Sequence, residues 1–158
     1  LRIFLPDTYT TPAFLAGAPE WLAYEWRGMR QDSGNPIQVG HAYIDWLRRR
    51  GVDPKKKLII FSDGLDVDRM ITRYKEFAGQ IDIAFGWGTL LTNDFHGCYP
   101  QSPYFRPFSL VCKVASVNGR PAVKLSDNVQ KATGPKEEIL RYIRIFGDNG
   151  RIDEKVVV

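Results

Sequence analysis

The amino-acid sequence predicts an α/β fold in which parallel strands alternate with helices. Three apolar segments that end near Met29, Phe61 and Phe85 are each followed by a polar loop that contains glycine. Amphipathic segments of helical period follow the first two loops, so helices separate successive strands. Strands joined in this way lie parallel and have right-handed connections. At 158 residues the chain is long enough to bury a core of its own.

The first part of the chain predicts a strand, a helix and a second strand. Leu1–Leu5 is short and apolar and stops at a proline, and a helix is predicted from Thr10–Leu15. Trp26–Met29 is the next predicted strand, and Arg30–Pro36 is a polar turn rich in residues that break regular structure. We therefore predict that residues 30–36 form a loop at the carboxyl end of the second strand.

The middle of the chain repeats the order of strand, loop and helix. A helix is predicted from Pro36, because apolar residues recur on one face and Gly51 lies just past its end. Lys57–Phe61 is a strand of the buried type, and a helix over Val67–Phe77 follows its loop. Ile81–Phe85 is the last strand of this kind. It leads into a glycine-containing loop at residues 86–89 and a short helical turn at residues 90–93.

A hairpin and a helix are predicted in the last third of the chain. Ser109–Val117 and Ala122–Leu125 flank the dipeptide Asn118-Gly119, which favours a tight turn between antiparallel strands. Lys136–Phe146 has helical spacing and ends at a glycine. We therefore divide the chain into an α/β part, residues 1–98, and a hairpin-and-helix part, residues 99–158.

Composition and charge exclude several classes of function. The net charge is +4, but only Arg48–Arg50 and Lys55–Lys57 form basic runs, and both flank one turn. This favours a solvated surface over nucleic-acid binding. Cys98 and Cys112 lack the spacing of a zinc site or a disulfide framework. No apolar stretch approaches the roughly 20 residues of a membrane span, so we predict no membrane partner. The charge pattern predicts no nucleic-acid partner, and the two reduced thiols predict a cytoplasmic location.

The three loops after the strands predict one binding site, because the carboxyl ends of parallel strands lie at the same edge of a sheet. Glycines let backbone N–H groups approach a phosphate, and the start of a helix adds the positive end of its dipole. Carboxylates suit sugar hydroxyls or Mg²⁺, and an arginine suits an anionic group. A phosphorylated pentose fits this set, which is Arg30 and Asp32 from the first loop, Asp63 from the second, and Gly86, Gly88 and Thr89 from the third.

Each loop also has a purely structural interpretation. The glycines of the third loop are explained equally well by a turn that needs positive φ. The segment from Asp32 to Gly34 is explained by an Asx-turn before the next helix, and Ser62 with Asp63 by a helix cap. The sequence has no P-loop, dinucleotide-binding or α/β-hydrolase motif.

Four ordered segments resemble the successive motifs of the nicotinate phosphoribosyltransferases, and nicotinamide phosphoribosyltransferases share a looser form of them. The segments are Met29–Pro36, Phe61–Asp66, Phe85–Leu90 and Val123–Asp127. Four motifs in order are far more specific than any one of them. The resemblance runs over nearly the whole chain, from residue 1 to about residue 146.

The resemblance implies the second half of a (β/α) barrel, with a C-terminal antiparallel hairpin and helix that return toward an N-terminal domain outside this chain. It implies transfer of phosphoribose from phosphoribosyl pyrophosphate to nicotinate, which gives nicotinate mononucleotide and diphosphate in NAD salvage. The full-length enzyme would use Mg²⁺ and ATP and form a homodimer. The implied catalytic residues are Asp32 and Asp63, and the implied substrate-binding residues are Arg30, Asp32, Ser33, Asp63, Gly64, Gly86, Gly88 and Thr89.

By motif, Arg30 would contact the carboxylate of the base or the phosphoribosyl group, and Asp32 the ribose or the diphosphate. Asp63 would hold ribose hydroxyls, while Gly88 and Thr89 would hold the 5′-phosphate. Nicotinamide- and quinolinate-type phosphoribosyltransferases stay open as alternatives, and so does a sugar-phosphate-binding module without catalysis.

The histidines depart from the family pattern. Family members couple ATP through a phosphorylated histidine upstream of the region that this chain resembles, and neither His41 nor His96 matches that motif. We expect both to be structural or exposed to solvent. Because the chain starts at Leu1 without an initiator methionine, we expect it to be a fragment that is inactive alone.

Overall fold

A computed structural model describes residues 1–93, 95, 98 and 110–147, and every structural statement below concerns those residues. Its centre is a parallel sheet of four strands: β1 (Ile3–Phe4), β2 (Gly28–Gln31), β3 (Leu58–Phe61) and β4 (Asp82–Phe85). The strands are in chain order across the sheet. This confirms the predicted α/β class, and a parallel sheet flanked by helices is what part of a (β/α) barrel requires.

The register brings the carboxyl ends of β2, β3 and β4 to one level. Gln31 pairs with Phe61, and Phe61 pairs with Phe85. The chain then leaves each strand at the same edge, through loops that begin at Asp32, Ser62 and Gly86. This alignment brings the three polar loops together.

Helices cover the sheet and supply most of the core. They are α1 (Thr11–Gly17), α2 (Glu20–Glu25), α3 (Pro36–Arg49) and α4 (Val67–Phe77), followed after β4 by one turn, α5 (Thr89–Thr92). The core is densely aromatic, since Tyr43 and Trp46 of α3 are fully buried and lie against Phe4 of β1. Burial of each such side chain contributes about 1.5–3 kcal/mol.

Capping side chains explain where the two long helices begin. The side chain of Asn35 accepts hydrogen bonds from the backbone N–H groups of Ile37 and Gln38 at the start of α3. Asp66 accepts one from Arg69 at the start of α4. Such caps satisfy N–H groups that have no partner within the helix.

Strand β2 lies two residues later than the strand predicted at Trp26–Met29. The ammonium group of Lys57 donates to the carbonyls of Tyr24 and Trp26, at 2.9 and 2.8 Å, and so holds this segment as the end of α2. Gln31 belongs to β2 because it pairs with Phe61, and its buried side-chain amide donates to the carbonyls of Ser33 and Gly34. In the sequence, polar residues directly after an apolar segment are typical of a turn, so Gln31 was predicted to lie in the loop and not in the strand.

The predicted hairpin is much shorter than expected. Its strands are β5 (Ser116–Val117) and β6 (Arg120–Pro121), joined by Asn118 and Gly119, which both have positive φ. Residues 110–115 and 122–125 are not strands of this hairpin, contrary to the prediction, and Ser109 lies outside the described residues. The physical reason is that residues 110–120 are exposed throughout, so no packed face extends the ladder.

After the hairpin, the chain returns to the sheet. Residues 125–128 are buried, and the backbone N–H of Leu125 donates to the carbonyl of Thr8 at 2.7 Å. The last helix, α6 (Lys136–Phe146), has the predicted bounds, and its Tyr142 and Phe146 stack on Tyr9. The division of the chain at residues 98 and 99 stays a prediction. Among the described helices, none is long and apolar enough to span a membrane.

Candidate active site

A cleft of about 740 Å³ opens where the three loops meet at the carboxyl ends of the strands. It contains seven of the eight residues predicted for the site, all except Ser33. Its lining residues are Arg30, Asp32, Ile60, Ser62, Asp63, Gly64, Leu65, Gly86, Trp87, Gly88, Thr89, Leu90, Val111, Lys113, Lys124 and Lys131. Both signs of charge therefore line one cavity.

Arg30 is held in a fixed orientation in the cleft. Its Nε donates to Oγ of Ser62 at 2.9 Å, and Nη2 donates to Oδ1 of Asp32 at 2.7 Å. Oγ of Ser62 lies 2.9 Å from the carbonyl oxygen of Gln31, which ties the cluster to the sheet. About half of the Arg30 side chain stays exposed. The guanidinium is thus oriented on one side and accessible to an anion on the other.

Asp63 forms an ion pair with a residue distant in sequence. Its Oδ1 accepts from Nζ of Lys131 at 2.6 Å, and the same ammonium donates to the carbonyl of Asp32 at 2.8 Å. The loop is also fixed from α4, because Arg73 donates to the carbonyl of Asp63 and Arg69 to that of Gly64. Lys131 therefore links the first two loops.

The glycine loop has room for a ligand. Gly86 approaches Ser62 closely, since a Cβ on Gly86 would lie 3.1 Å from that of Ser62. A Cβ on Gly88 would meet nothing within 4 Å, and neither glycine has positive φ. The turn interpretation therefore does not explain Gly88, whose missing side chain leaves space in the cleft instead. Because α5 has only four residues, its dipole adds little, and the backbone N–H groups are the relevant donors.

Three cleft lysines were not predicted as site residues: Lys113, Lys124 and Lys131. Lys124 pairs with Asp7 at 2.9 Å, and Lys113 donates to the carbonyl of Lys131 at 2.8 Å. Lys124 belongs to the fourth motif, Val123–Asp127, and this membership could have identified it as a site residue. The other two follow no strand of the parallel sheet, so the rule about strand ends does not find them.

Ser33 lies beneath the cleft instead of lining it. It is buried, and its Oγ donates to Oδ2 of Asp7 at 2.6 Å and accepts from the backbone N–H of Asp127 at 3.1 Å. The carboxylate of Asp127 is bonded in turn to Thr11. Burial raises the pKa of Asp127, and the hydrogen bonds from Thr11 oppose that rise. The substrate contact predicted for Ser33 stays a prediction. In the structure, Ser33 holds Asp7 and the backbone of Asp127 in place beneath the cleft.

The helix caps answer one of the remaining structural interpretations, that Ser62 and Asp63 form a cap, and the Asx-turn interpretation of residues 32–34 stays a prediction. Asn35 and Asp66 cap α3 and α4, so neither Asp32 nor Asp63 is needed as a cap. His41 is a half-buried helix residue whose Nε2 lies 2.7 Å from Oε1 of Glu76, as expected for a structural histidine. His96 lies outside the described residues.

The chemistry of the two cleft carboxylates fits Mg²⁺ bound together with a phosphorylated ligand. The ion pairs of Asp32 and Asp63 both use Oδ1. Among the described residues, no group of three or more histidine, cysteine or carboxylate side chains forms a complete metal cage. Mg²⁺ commonly binds through one or two carboxylates plus substrate phosphates and water, so it needs no such cage.

Comparisons with known proteins found a family model and solved structures to which this chain is similar. Residues 1–150 match the model of the nicotinate phosphoribosyltransferase (NAPRTase) family. The chain is similar to the crystal structure of nicotinate phosphoribosyltransferase from Vibrio cholerae, with 38% identity and a TM-score of 0.81 over 91% of this chain and 34% of that one. For the enzyme from Porphyromonas gingivalis the identity is 37% and the TM-score 0.82, over 93% of this chain and 38% of that one. The chain thus spans little more than a third of the length of these proteins.

Proposed function

Because this chain belongs to the nicotinate phosphoribosyltransferase family, we propose that it forms part of the active site of an enzyme that makes nicotinate mononucleotide. The substrates are nicotinate and phosphoribosyl pyrophosphate, and the second product is diphosphate. One observation carries the proposal: a single cleft joins Arg30, two carboxylates and the loop Gly86–Thr89 with three lysines. This set suits a ligand with a sugar between two groups of phosphates.

Substrate binding would divide the cleft into regions. The backbone N–H groups near Gly88 and the hydroxyl of Thr89 would hold the 5′-phosphate, and Asp63 would accept from the ribose hydroxyls. The free side of the Arg30 guanidinium suits the carboxylate of nicotinate or a phosphoryl oxygen. The lysines would face the diphosphate, whose charge needs several cations close by.

In the reaction, the ring nitrogen of nicotinate forms a bond to the anomeric carbon while the bond from that carbon to the diphosphate oxygen breaks. The electron pair leaves with the diphosphate, and the sugar passes through a state of oxocarbenium character. Asp32 and Asp63 would stabilise the positive charge that develops there. Neutralisation of the departing diphosphate is the chemistry that Mg²⁺ supplies when bound.

ATP coupling, a homodimer and a cytoplasmic location complete the proposal for the full-length protein. Family resemblance supports the use of ATP, through a histidine that would lie outside this chain. Cys98 and Cys112 are free and exposed, which suits a reducing compartment.

The test is an assay of the full-length protein that contains this chain. Purified protein is given phosphoribosyl pyrophosphate and Mg²⁺ with either nicotinate or nicotinamide, with and without ATP, and the products are separated by chromatography. We expect nicotinate mononucleotide and diphosphate, with a higher yield when ATP is present. Consumption of nicotinamide alone would move the protein to the nicotinamide type. Tight binding of phosphoribosyl pyrophosphate without diphosphate release would favour the non-catalytic module.

A further inference from the structure

A buried carboxylate anchors the segment that carries two of the cleft lysines. Asp127 is only 7% exposed, and its Oδ1 accepts from the backbone N–H of Thr11 at 2.6 Å. Its other oxygen accepts from the hydroxyl of the same threonine. Burial of an ionised carboxylate is costly unless it is hydrogen-bonded, and hydrogen bonds to a charge are the strong ones. The contact joins residues 116 positions apart in the chain.

The surroundings of this contact are built to hold it in one arrangement. Ser33 accepts from the backbone N–H of Asp127, and Gly34 leaves it room, since a Cβ on Gly34 would lie 2.8 Å from the Cβ of Asp127. Thr10 and Ser126, which directly precede Thr11 and Asp127, both have positive φ. Backbone conformations of this kind cost energy in residues with a side chain and persist only where neighbours enforce them.

The segment held by Asp127 places Lys124 and Lys131 in the cleft. Lys124 lines the cleft and pairs with the buried Asp7 next to it in space, and Lys131 bridges Asp63 and the carbonyl of Asp32. Asp127 itself is absent from the cleft lining. It therefore touches no ligand in the cleft and can influence one only through its neighbours.

We propose that Asp127 is a positioning residue for substrate binding: by fixing residues 124–131 to Thr11, it holds the two ammonium groups where a diphosphate would lie. The proposal rests on the proposed function for the identity of that ligand. Lysine is a flexible point charge, so its contribution to binding depends on what orders its backbone and stem.

The test compares binding and turnover in the full-length protein. Asp127→Asn keeps the volume and removes the charge, and Thr11→Val removes the hydroxyl while keeping the shape. We expect the Kd for phosphoribosyl pyrophosphate, measured by calorimetry, to rise about tenfold in Asp127→Asn and about threefold in Thr11→Val. Gly40→Ala is the control for lost stability alone, because it perturbs helix packing outside the cleft. It should leave this Kd unchanged.

A double-mutant cycle separates positioning from general destabilisation. If Asp127 acts through the lysines, Asp127→Asn should add less than about twofold to the Kd once Lys124→Met and Lys131→Met are both present. A wild-type Kd in Asp127→Asn, or fully additive effects in the cycle, would overturn the proposal and leave the proposed function standing. Binding of phosphoribosyl pyrophosphate by the wild type without any nicotinate mononucleotide would sink the proposed function, while the Kd comparison would still decide the role of Asp127.

Discussion

At the scale of single residues, the ion pair between Asp63 and Lys131 makes the strongest prediction. If the full-length protein has the proposed activity, Asp63→Asn should lower kcat about 100-fold, because the carboxylate proposed to stabilise positive charge in the transition state would be lost. Thr89→Val should instead raise the KM for phosphoribosyl pyrophosphate about fivefold, as expected for one hydrogen bond to a phosphate. Steady-state kinetics with saturating nicotinate measure both effects.

Lys131→Met is the matched control for Asp63. Since Asp63 also holds Lys131, its substitution has a direct effect and one that passes through the lysine. If the variant that combines Asp63→Asn with Lys131→Met is no slower than Lys131→Met alone, Asp63 only holds the lysine and has no direct catalytic role. Unchanged kinetics in both Asp63→Asn and Thr89→Val would remove these residues from the site.

Single residues also show how far the sequence could predict the site. Asp32, Asp63 and the glycine loop were predictable because each follows a strand, and Arg30 because it lies near the carboxyl end of β2. The parallel sheet alone brings such positions together. Lys131 was not predictable, since it reaches Asp63 from 68 positions away in the chain, after a hairpin. Local patterns carry no information about a contact of that kind.

At the scale of elements, the contact between α3 and α4 makes a prediction about stability. Gly40 lies against the ring of Phe77, and a Cβ there would come within 2.3 Å of it. Gly40→Ala should therefore reduce the free energy of unfolding by about 1–3 kcal/mol through overpacking, even though alanine favours helix. Urea denaturation of the full-length protein, followed by tryptophan fluorescence, measures the change.

Gly17→Ala is the matched control for this packing argument. Gly17 is also helical, at the end of α1, and a Cβ there would meet nothing within 4 Å. This substitution should be neutral or stabilise by about 0.4–1 kcal/mol. Equal effects at the two positions would contradict the packing argument.

The bounds of an element were predictable where the hydrophobic period and the residues that end regular structure agreed. The bounds of α4 and α6 match the prediction because each has an apolar face and a glycine soon after its end. The failures have tertiary causes. Strand β2 is shifted because Lys57 binds the carbonyls at the end of α2, and the hairpin strands are short because nothing among the described residues packs on them. In both cases the tertiary contacts available to the segment, and not its intrinsic strand propensity, determine where the strand lies.

At the scale of the whole molecule, apolar surface is exposed in the segment that leads into the hairpin and along α6. Leu110 and Val114 are 86% and 63% exposed, and Leu140 and Ile145 of α6 are 49% and 60% exposed. Among the described strands of the parallel sheet, β1 and β4 are the edges. Open strand edges and contiguous apolar surface both favour association between chains.

The 158-residue chain produced by itself should therefore self-associate. Sedimentation velocity at increasing concentration should show species larger than the 18.0 kDa monomer. Leu110→Ser combined with Val114→Ser should shift the distribution toward monomer, because it removes apolar surface without touching the core or the cleft lining. Val67→Ser is the control, since this α4 residue is about half exposed but lies away from the hairpin in sequence. A monomer at every concentration, or an equal effect of the control, would show that the hairpin surface does not drive association.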